Sequence, residues 1–342
     1  MLCMKSDSSL SYGVFDISKF IAAILVVAIH CSSSYEINND IAFFFINVIG
    51  RLAVPFFFCV SGFLISKKNI EDWDIVKNYI KRLIQLYLVW SIVYLPVNIY
   101  LVVTDEKIFI GILDYLKDIF FVGSFIPLWY FPALIFGVLV IHFLMKKLSI
   151  TKVMAISFFI FVIGLFGDAY YGLLFSAPKL KNIYDMYLLV FETTRNGLFF
   201  GMFFISLGIY LQKKRKSISI KRVILGLIFS TVLLTVEVFV LKYYNVALDY
   251  NMLIFTIPSI YFIFLLLINI KLENKPIYLT LRKMSILIFG SHCIMRGAMY
   301  LIGHFLKINI INEKFIYHFL GTTALSILFS FILLHHFKKI KI

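Results

Sequence analysis

The chain has 342 residues, of which 61% are hydrophobic, 18% aromatic and 15% charged. With a mean hydropathy of +0.95, such a composition excludes a soluble domain. Its net charge of +15, from 33 basic and 18 acidic residues, suggests nucleic acid at first sight, but the distribution of charge along the chain favours a membrane instead, and no nucleic-acid partner is expected.

Apolar runs of about 20 residues recur from end to end, which predicts an all-α polytopic integral membrane protein. Ten spans are expected, at 16–34, 42–66, 83–103, 128–145, 153–170, 187–211, 223–241, 251–270, 284–302 and 315–337. The first is not a cleavable signal, because no small-residue cleavage site follows it. Alternate connecting segments hold 22 and 7 Lys and Arg residues. By the positive-inside rule this bias places both termini in the cytoplasm and supports an even number of spans. The expectation is a multi-pass protein of a bacterial plasma membrane, with lipid around it and residues 1–342 as a single domain. The four cysteines form no CxxC, so neither a metal site nor a disulfide framework is indicated.

The first span holds Lys19 and His30, separated by eleven positions in a stretch that predicts helix. Eleven residues make three turns plus about 20°, so both side chains share a face, roughly 16 Å apart along the axis. Ionisable groups on an apolar helix must face protein or water. The second span carries Arg51-Leu-Ala-Val-Pro55-Phe-Phe-Phe, then Ser61-Gly62-Phe63. Arg51 at membrane depth costs at least about 2.5 kcal/mol and so points to an ion pair or a site. Pro55 predicts a kink one turn earlier, and Ser61-Gly62 a close helix crossing. Lys77, Lys81 and Arg82 precede the third span and read as a headgroup anchor or a contact for an anionic donor.

The longest external connection, 104–127, places Leu113, Leu116 and Phe120 on one face, a short helix lying on the outer surface. Trp129 and Tyr130 open the fourth span between Pro127 and Pro132, as belt residues or a pocket wall. Gly164 to Gly172 reads as an outer turn. In the sixth span Glu192 and Arg195 are spaced i,i+3 and can pair on one helix, while Gly197 and Gly201 offer a packing face. Glu237 lies near the outer end of the seventh span, and Ser291-His292 and Arg296 lie in the ninth. The eighth and tenth read as scaffold, and His335-His336 as interfacial.

Taken with the predicted orientation, the costly polar residues fall in the outer half, with Lys19 below, which suggests a cavity open to the outside. A histidine there can take a proton from a hydroxyl and return it to a leaving group. Arginines can hold carboxylate, phosphate or an oxyanion. There is no Walker loop, HExxH or intramembrane carboxylate ladder.

These residues resemble the membrane acyltransferase-3 family. The likeness rests on a basic residue eleven positions before His30 (basic-x10-His), Arg51-x3-Pro-Phe-Phe-Phe with Ser-Gly-Phe, the Leu-Trp-Tyr opening of the fourth span, and the Ser-His of the ninth. It implies transfer of an acyl group, usually acetyl, from acetyl-CoA as co-substrate to a hydroxyl of an envelope glycan or small acceptor. It places the catalytic histidine at His30 and its basic partner at Lys19. The family's partner is typically Arg, and Lys lacks the planar fork that grips phosphate in two places.

The Leu-Pro-Val-Asn-Ile-Tyr, Leu-Trp-Tyr-Phe-Pro-Ala, Gly-Asp-Ala-Tyr-Tyr-Gly and Thr-Arg-Asn-Gly-Leu-Phe-Phe stretches further resemble the membrane half of vancomycin-resistance-type serine/alanine racemases. That half is thought to deliver serine to an attached racemase domain. With the chain ending at Ile342, racemisation is not expected of it, although a separate racemase or envelope-biosynthesis partner is. Two readings follow. In the transferase, His30 is the general base, Lys19 and Arg51 hold donor or oxyanion, Arg195 with Glu192 orients the acceptor, and Arg296, Trp129 and Tyr130 complete substrate binding. In the alternative, a carrier for serine or another small zwitterion, Arg195 or Arg51 binds the carboxylate and Glu237 or Glu192 the ammonium.

Overall fold

The structure is a computed structural model, and it describes residues 13–32, 39–104, 108–214, 218–308, 310 and 313–336. Cys3 and the basic residues after His336 lie outside the described residues. Among these the regular structure is entirely helical: α1 Gly13–Ser32, α2 Asp40–Phe44, α3 Ala53–Lys67, α4 Trp73–Thr104, α5 Ile108–Phe121, α6 Tyr130–Met145, α7 Ile150–Leu165, α8 Pro178–Phe191, α9 Met202–Lys214, α10 Ile220–Tyr243, α11 Thr256–Asn269, α12 Pro276–Phe305 and α13 Phe315–His336. Helix occupies part of each of the ten expected stretches. Among the described residues, seven helical runs are long and apolar enough to cross a membrane, and α7 and α11 are shorter apolar helices. α4, at 32 residues, would reach about 48 Å, well beyond a 30 Å hydrocarbon core. It begins ten residues before the expected span and carries Lys77, Lys81 and Arg82 on that extension.

The sixth stretch is a correction. It is not one helix from residue 187. α8 ends where Glu192 adopts a left-handed backbone at φ 60°, and a new helical run starts at Gly197. Asn196 caps that start, its side chain accepting from the Leu198 and Phe199 N–H groups at 3.0 and 3.1 Å. The polar run Glu-Thr-Thr-Arg-Asn supplies the stop and the cap, and these outweigh the apolar residues on either side.

The chain divides into two compact units, Met1–Val54 with Ile218–Thr231 and Pro258–Ile342, and Pro55–Ser217 with Val232–Ile257. In the first, α1, α12 and α13 pack on one another. The buried face of α1 includes Phe15, Ala22, Ala23, Val26 and Val27, a spacing of three and four that also takes in Lys19 and His30. The small Ala22 and Ala23 let neighbouring backbones come close, which is how helices associate where lipid removes the hydrophobic drive. α2 leads into a π-turn at Phe45–Ile49 and a 3₁₀ turn at Gly50–Leu52. Pro55 has no N–H for the Arg51 carbonyl, so the regular ladder is interrupted there, as its position predicts.

The second unit is built on α4, α6, α7 and α9 and the π-turn Gly197–Gly201. Its core is aromatic: Phe58 packs on Tyr130 at 4.7 Å and on Phe200 at 5.8 Å, and Phe161 on Phe203 at 5.5 Å. α3 and α9 cross at paired glycines. A β-carbon on Gly62 would overlap the Ile205 carbonyl, and one on Gly208 the Cys59 carbonyl. Backbone faces backbone, so no side chain can swing aside. Gly208→Val should force the helices apart and cost about 1–3 kcal/mol. A melting temperature of the detergent-purified variant equal to that of the parent would contradict this crossing. Gly197 likewise abuts the Ala133 carbonyl, which fits its reading as a packing position.

α5 forms as expected. Leu113, Leu116 and Phe120 are exposed at 52, 51 and 72%, an apolar stripe suited to a membrane surface.

Candidate functional site

In the first unit His30 projects from the buried face of α1 and meets α12. Its ring lies 4.9 Å from the His292 ring, tilted by 39°. The Arg296 guanidinium donates from Nη1 to the His30 backbone carbonyl at 2.6 Å. His292 is 1% exposed. Its Nδ1 lies 2.7 Å from the Phe289 carbonyl and 3.2 Å from that of Ile288. Carbonyls only accept, so Nδ1 bears the proton and Nε2 presents its lone pair. Cys293 is the next residue, also buried.

Lys19, lower on the same face of α1, pairs with Asp16 at 3.4 Å, both largely buried. Arg51 stands on the 3₁₀ turn, which packs against α1. A β-carbon at Gly50 would be 3.1 Å from the Ile29 side chain, which sets that turn beside the His30 level. α13 adds His318, Thr322, Ser326 and Ser330, all buried and spaced by four on one face.

In the second unit three loops are tied into a polar knot around Arg195. Arg195 lies over the Trp129 ring at 4.6 Å and donates from Nη1 to the Asn251 side-chain oxygen at 3.0 Å. The Asn251 amide donates to Asp168 at 3.0 Å and to Asp249 at 2.6 Å. Asp168, 2% exposed, also accepts the backbone N–H groups of Asn251 and Met252, each at 2.9 Å. Glu237 accepts from the Tyr170 hydroxyl at 2.6 Å and from the Ile254 and Phe255 N–H groups at 2.7 and 2.9 Å. Both carboxylates therefore staple the 245–256 segment. Tyr130 shares a hydrogen bond with Ser61 at 3.2 Å.

Glu192 is half exposed and pairs with Lys117 at 3.4 Å, beside Asp114 and Asp118 on α5. Slight burial works to lower the Lys117 pKa, but Asp118, Glu192 and Asp114 outweigh it and hold it above the ordinary lysine value. The expected Glu192–Arg195 helical pair does not form, because the helix ends at Glu192.

The acyltransferase domain family matches residues 12–335. The chain belongs to the acyltransferase-3 family. An amino-acid racemase of Enterococcus faecalis is 32% identical over 266 residues, which is 78% of this chain and 37% of that protein. A serine/alanine racemase of Enterococcus gallinarum is 30% identical over 256 residues, 73% of this chain and 36% of that one. The chain thus spans little more than a third of the length of these relatives, which are named racemases as whole proteins. No solved structure matches significantly.

The structure thus gathers the predicted residues of this acyltransferase-3 chain as two sets. His30 comes together with Arg296, and Arg195 with Trp129. Lys19 stays on the His30 face, and Tyr130 sits in the aromatic core. His292, Cys293, Asn251 and Asp249 are neighbours that the sequence reading did not assign to a site. Ser291-His292 was the visible signal for the first two. Asn251 and Asp249 lie in a polar loop with no motif around them.

Proposed function

We propose that the protein moves an acyl group, acetyl from acetyl-CoA, to a hydroxyl of an envelope glycan or small acceptor in a bacterial plasma membrane. The family supports acyl transfer. The observation that carries the reading is His30 on the protein-facing side of α1, with Arg296 anchored on its carbonyl and Lys19 three turns below on the same face. His30 takes the proton of the acceptor hydroxyl as its oxygen attacks the thioester carbonyl. Lys19, Arg51 and Arg296 supply positive charge for the donor and for the oxyanion. The tetrahedral intermediate collapses, the carbon–sulfur bond breaks, and the CoA thiolate takes the proton back from the imidazolium. The reading includes ten crossings and cytoplasmic termini, supported by the 22-to-7 bias of basic residues.

The test uses purified protein in vesicles with acetyl-labelled acetyl-CoA and a panel of hydroxyl acceptors. Label appearing in an acceptor supports transfer; label remaining on CoA with every acceptor opposes it.

A second reading, carriage of serine or a similar zwitterion, is favoured by one arrangement. The Arg195 guanidinium lies over Trp129 and is tied to Asn251, a fixed cation suited to a carboxylate, in a chain whose relatives are named serine/alanine and amino-acid racemases. Glu237 already accepts three hydrogen bonds, and Glu192 pairs with Lys117, so an ammonium group would compete with these partners. Uptake of labelled serine into the same vesicles without acetyl-CoA would favour it over transfer.

A further inference from the structure

His30, His292 and Cys293 come together from α1 and α12 with one potential ligand atom each, and all three atoms lie within 4.8 Å of one another. We propose that they form a binding site for a zinc-class divalent ion, with two imidazole nitrogens, one thiolate and an open fourth position.

His292 carries the argument. A metal-ligating histidine usually donates its other ring N–H to a carbonyl or carboxylate, which fixes the tautomer and aims the lone pair. Here Nδ1–H donates to the Phe289 carbonyl at 2.7 Å, and Nε2 is buried without a hydrogen-bond partner among the described residues. A neutral buried nitrogen lone pair with nothing to accept is costly, and a metal ion satisfies it. The second imidazole is already 4.9 Å away ring to ring, and the sulfur is on the adjacent residue.

Metal–ligand bonds of about 2.0–2.3 Å put tetrahedral ligands roughly 3.3–3.8 Å apart. From separations of up to 4.8 Å, side-chain rotations that close the gap by about 1 Å suffice. The donor set is borderline to soft, which suits zinc or cobalt and disfavours magnesium or calcium. Arg296 places a guanidinium nearby, engaged with the His30 carbonyl at 2.6 Å. It opposes a second positive charge, and on binding the Cys293 proton goes to solvent.

No sequence motif announces the site, because its ligands stand on helices at opposite ends of the chain. The expectation of no metal site rested on the absence of CxxC, and it did not reach this placement. A consequence follows that rests on the transferase reading: the ion occupies the His30 nitrogen needed as base, so zinc would inhibit acyl transfer. Binding itself does not depend on that reading.

The test is titration of the untagged, detergent-purified full chain with Co²⁺, followed by displacement with Zn²⁺. One equivalent should bind and give a thiolate-to-cobalt charge-transfer band. The band should vanish in Cys293→Ser and persist in Cys3→Ser, Cys31→Ser and Cys59→Ser. His292→Gln, chosen as a conservative replacement, should weaken binding at least tenfold. Sub-stoichiometric binding, or a band that survives Cys293→Ser, would overturn the site. Binding with no acyl transfer by the metal-free protein leaves the site standing and removes only the inhibitory role. Transfer without any cobalt binding does the reverse.

Discussion

His30→Ala should lower acyl transfer by about 10²–10⁴-fold, the usual contribution of a positioned general base, without unfolding the protein. The second half of that expectation comes from the geometry. Arg296 donates to the His30 backbone carbonyl, and alanine keeps that carbonyl. The half-buried guanidinium therefore retains that acceptor. The ring contact with His292 is lost, but His292 remains tied to Phe289. His30→Gln separates proton transfer from packing: it fills similar space but its amide takes no proton at neutral pH, so it should be as inactive as alanine. Both variants should melt within a few degrees of the parent. Substantial transfer by either would remove His30 from the mechanism and leave the arginines without a base to serve.

The path from sequence to this site was uneven, for physical reasons. Lys19 and His30 were legible because both lie on one helix, where periodicity fixes the face, and α1 runs unbroken from Gly13 to Ser32. Pro55 announced the irregular turns before it, since a missing N–H has only local consequences. Gly62 announced a crossing but not that its partner would be Gly208, because that pairing depends on tertiary register. Hydropathy is insensitive to caps, and so it reads the sixth stretch as one span. Thr193 accepts the Arg195 N–H at 2.9 Å and Asn196 caps the next start, so a break stands where a continuous span was expected. The last helix read as scaffold on its average hydropathy, yet its buried His318, Thr322, Ser326 and Ser330 fall every fourth residue, a stripe that averaging hides. The meeting of His292 and Cys293 with His30 was not legible at all, because it depends on how α12 docks on α1.

Asp168→Ala should destabilise the fold by about 3–5 kcal/mol, among the largest effects of any single polar change here. The side chain accepts two backbone N–H groups and the Asn251 amide from a buried position, and each donor left buried and unmatched costs about 1–3 kcal/mol. The melting temperature should fall by at least about 5 °C. Asp168→Asn distinguishes charge from shape. Its oxygen can still face the two backbone donors, but its NH₂ then meets the Asn251 NH₂. The way out is rotation of the Asn251 amide, which turns a donor toward Arg195 and withdraws one from Asp249. In the parent, the carboxylates of Asp168 and Asp249 fix that amide with its oxygen toward Arg195, so Asp168 acts as a positioning residue for the guanidinium on Trp129. With Trp73 and Trp90 replaced by phenylalanine, Trp129 is the one tryptophan left, and its fluorescence, excited at a wavelength tyrosine does not absorb, reports the cation over its ring. Asp168→Asn should melt above Asp168→Ala yet change that emission, as should Asn251→Ala. An unchanged spectrum in both would show that Arg195 is held independently of this chain of hydrogen bonds, and that the polar knot serves the loop alone.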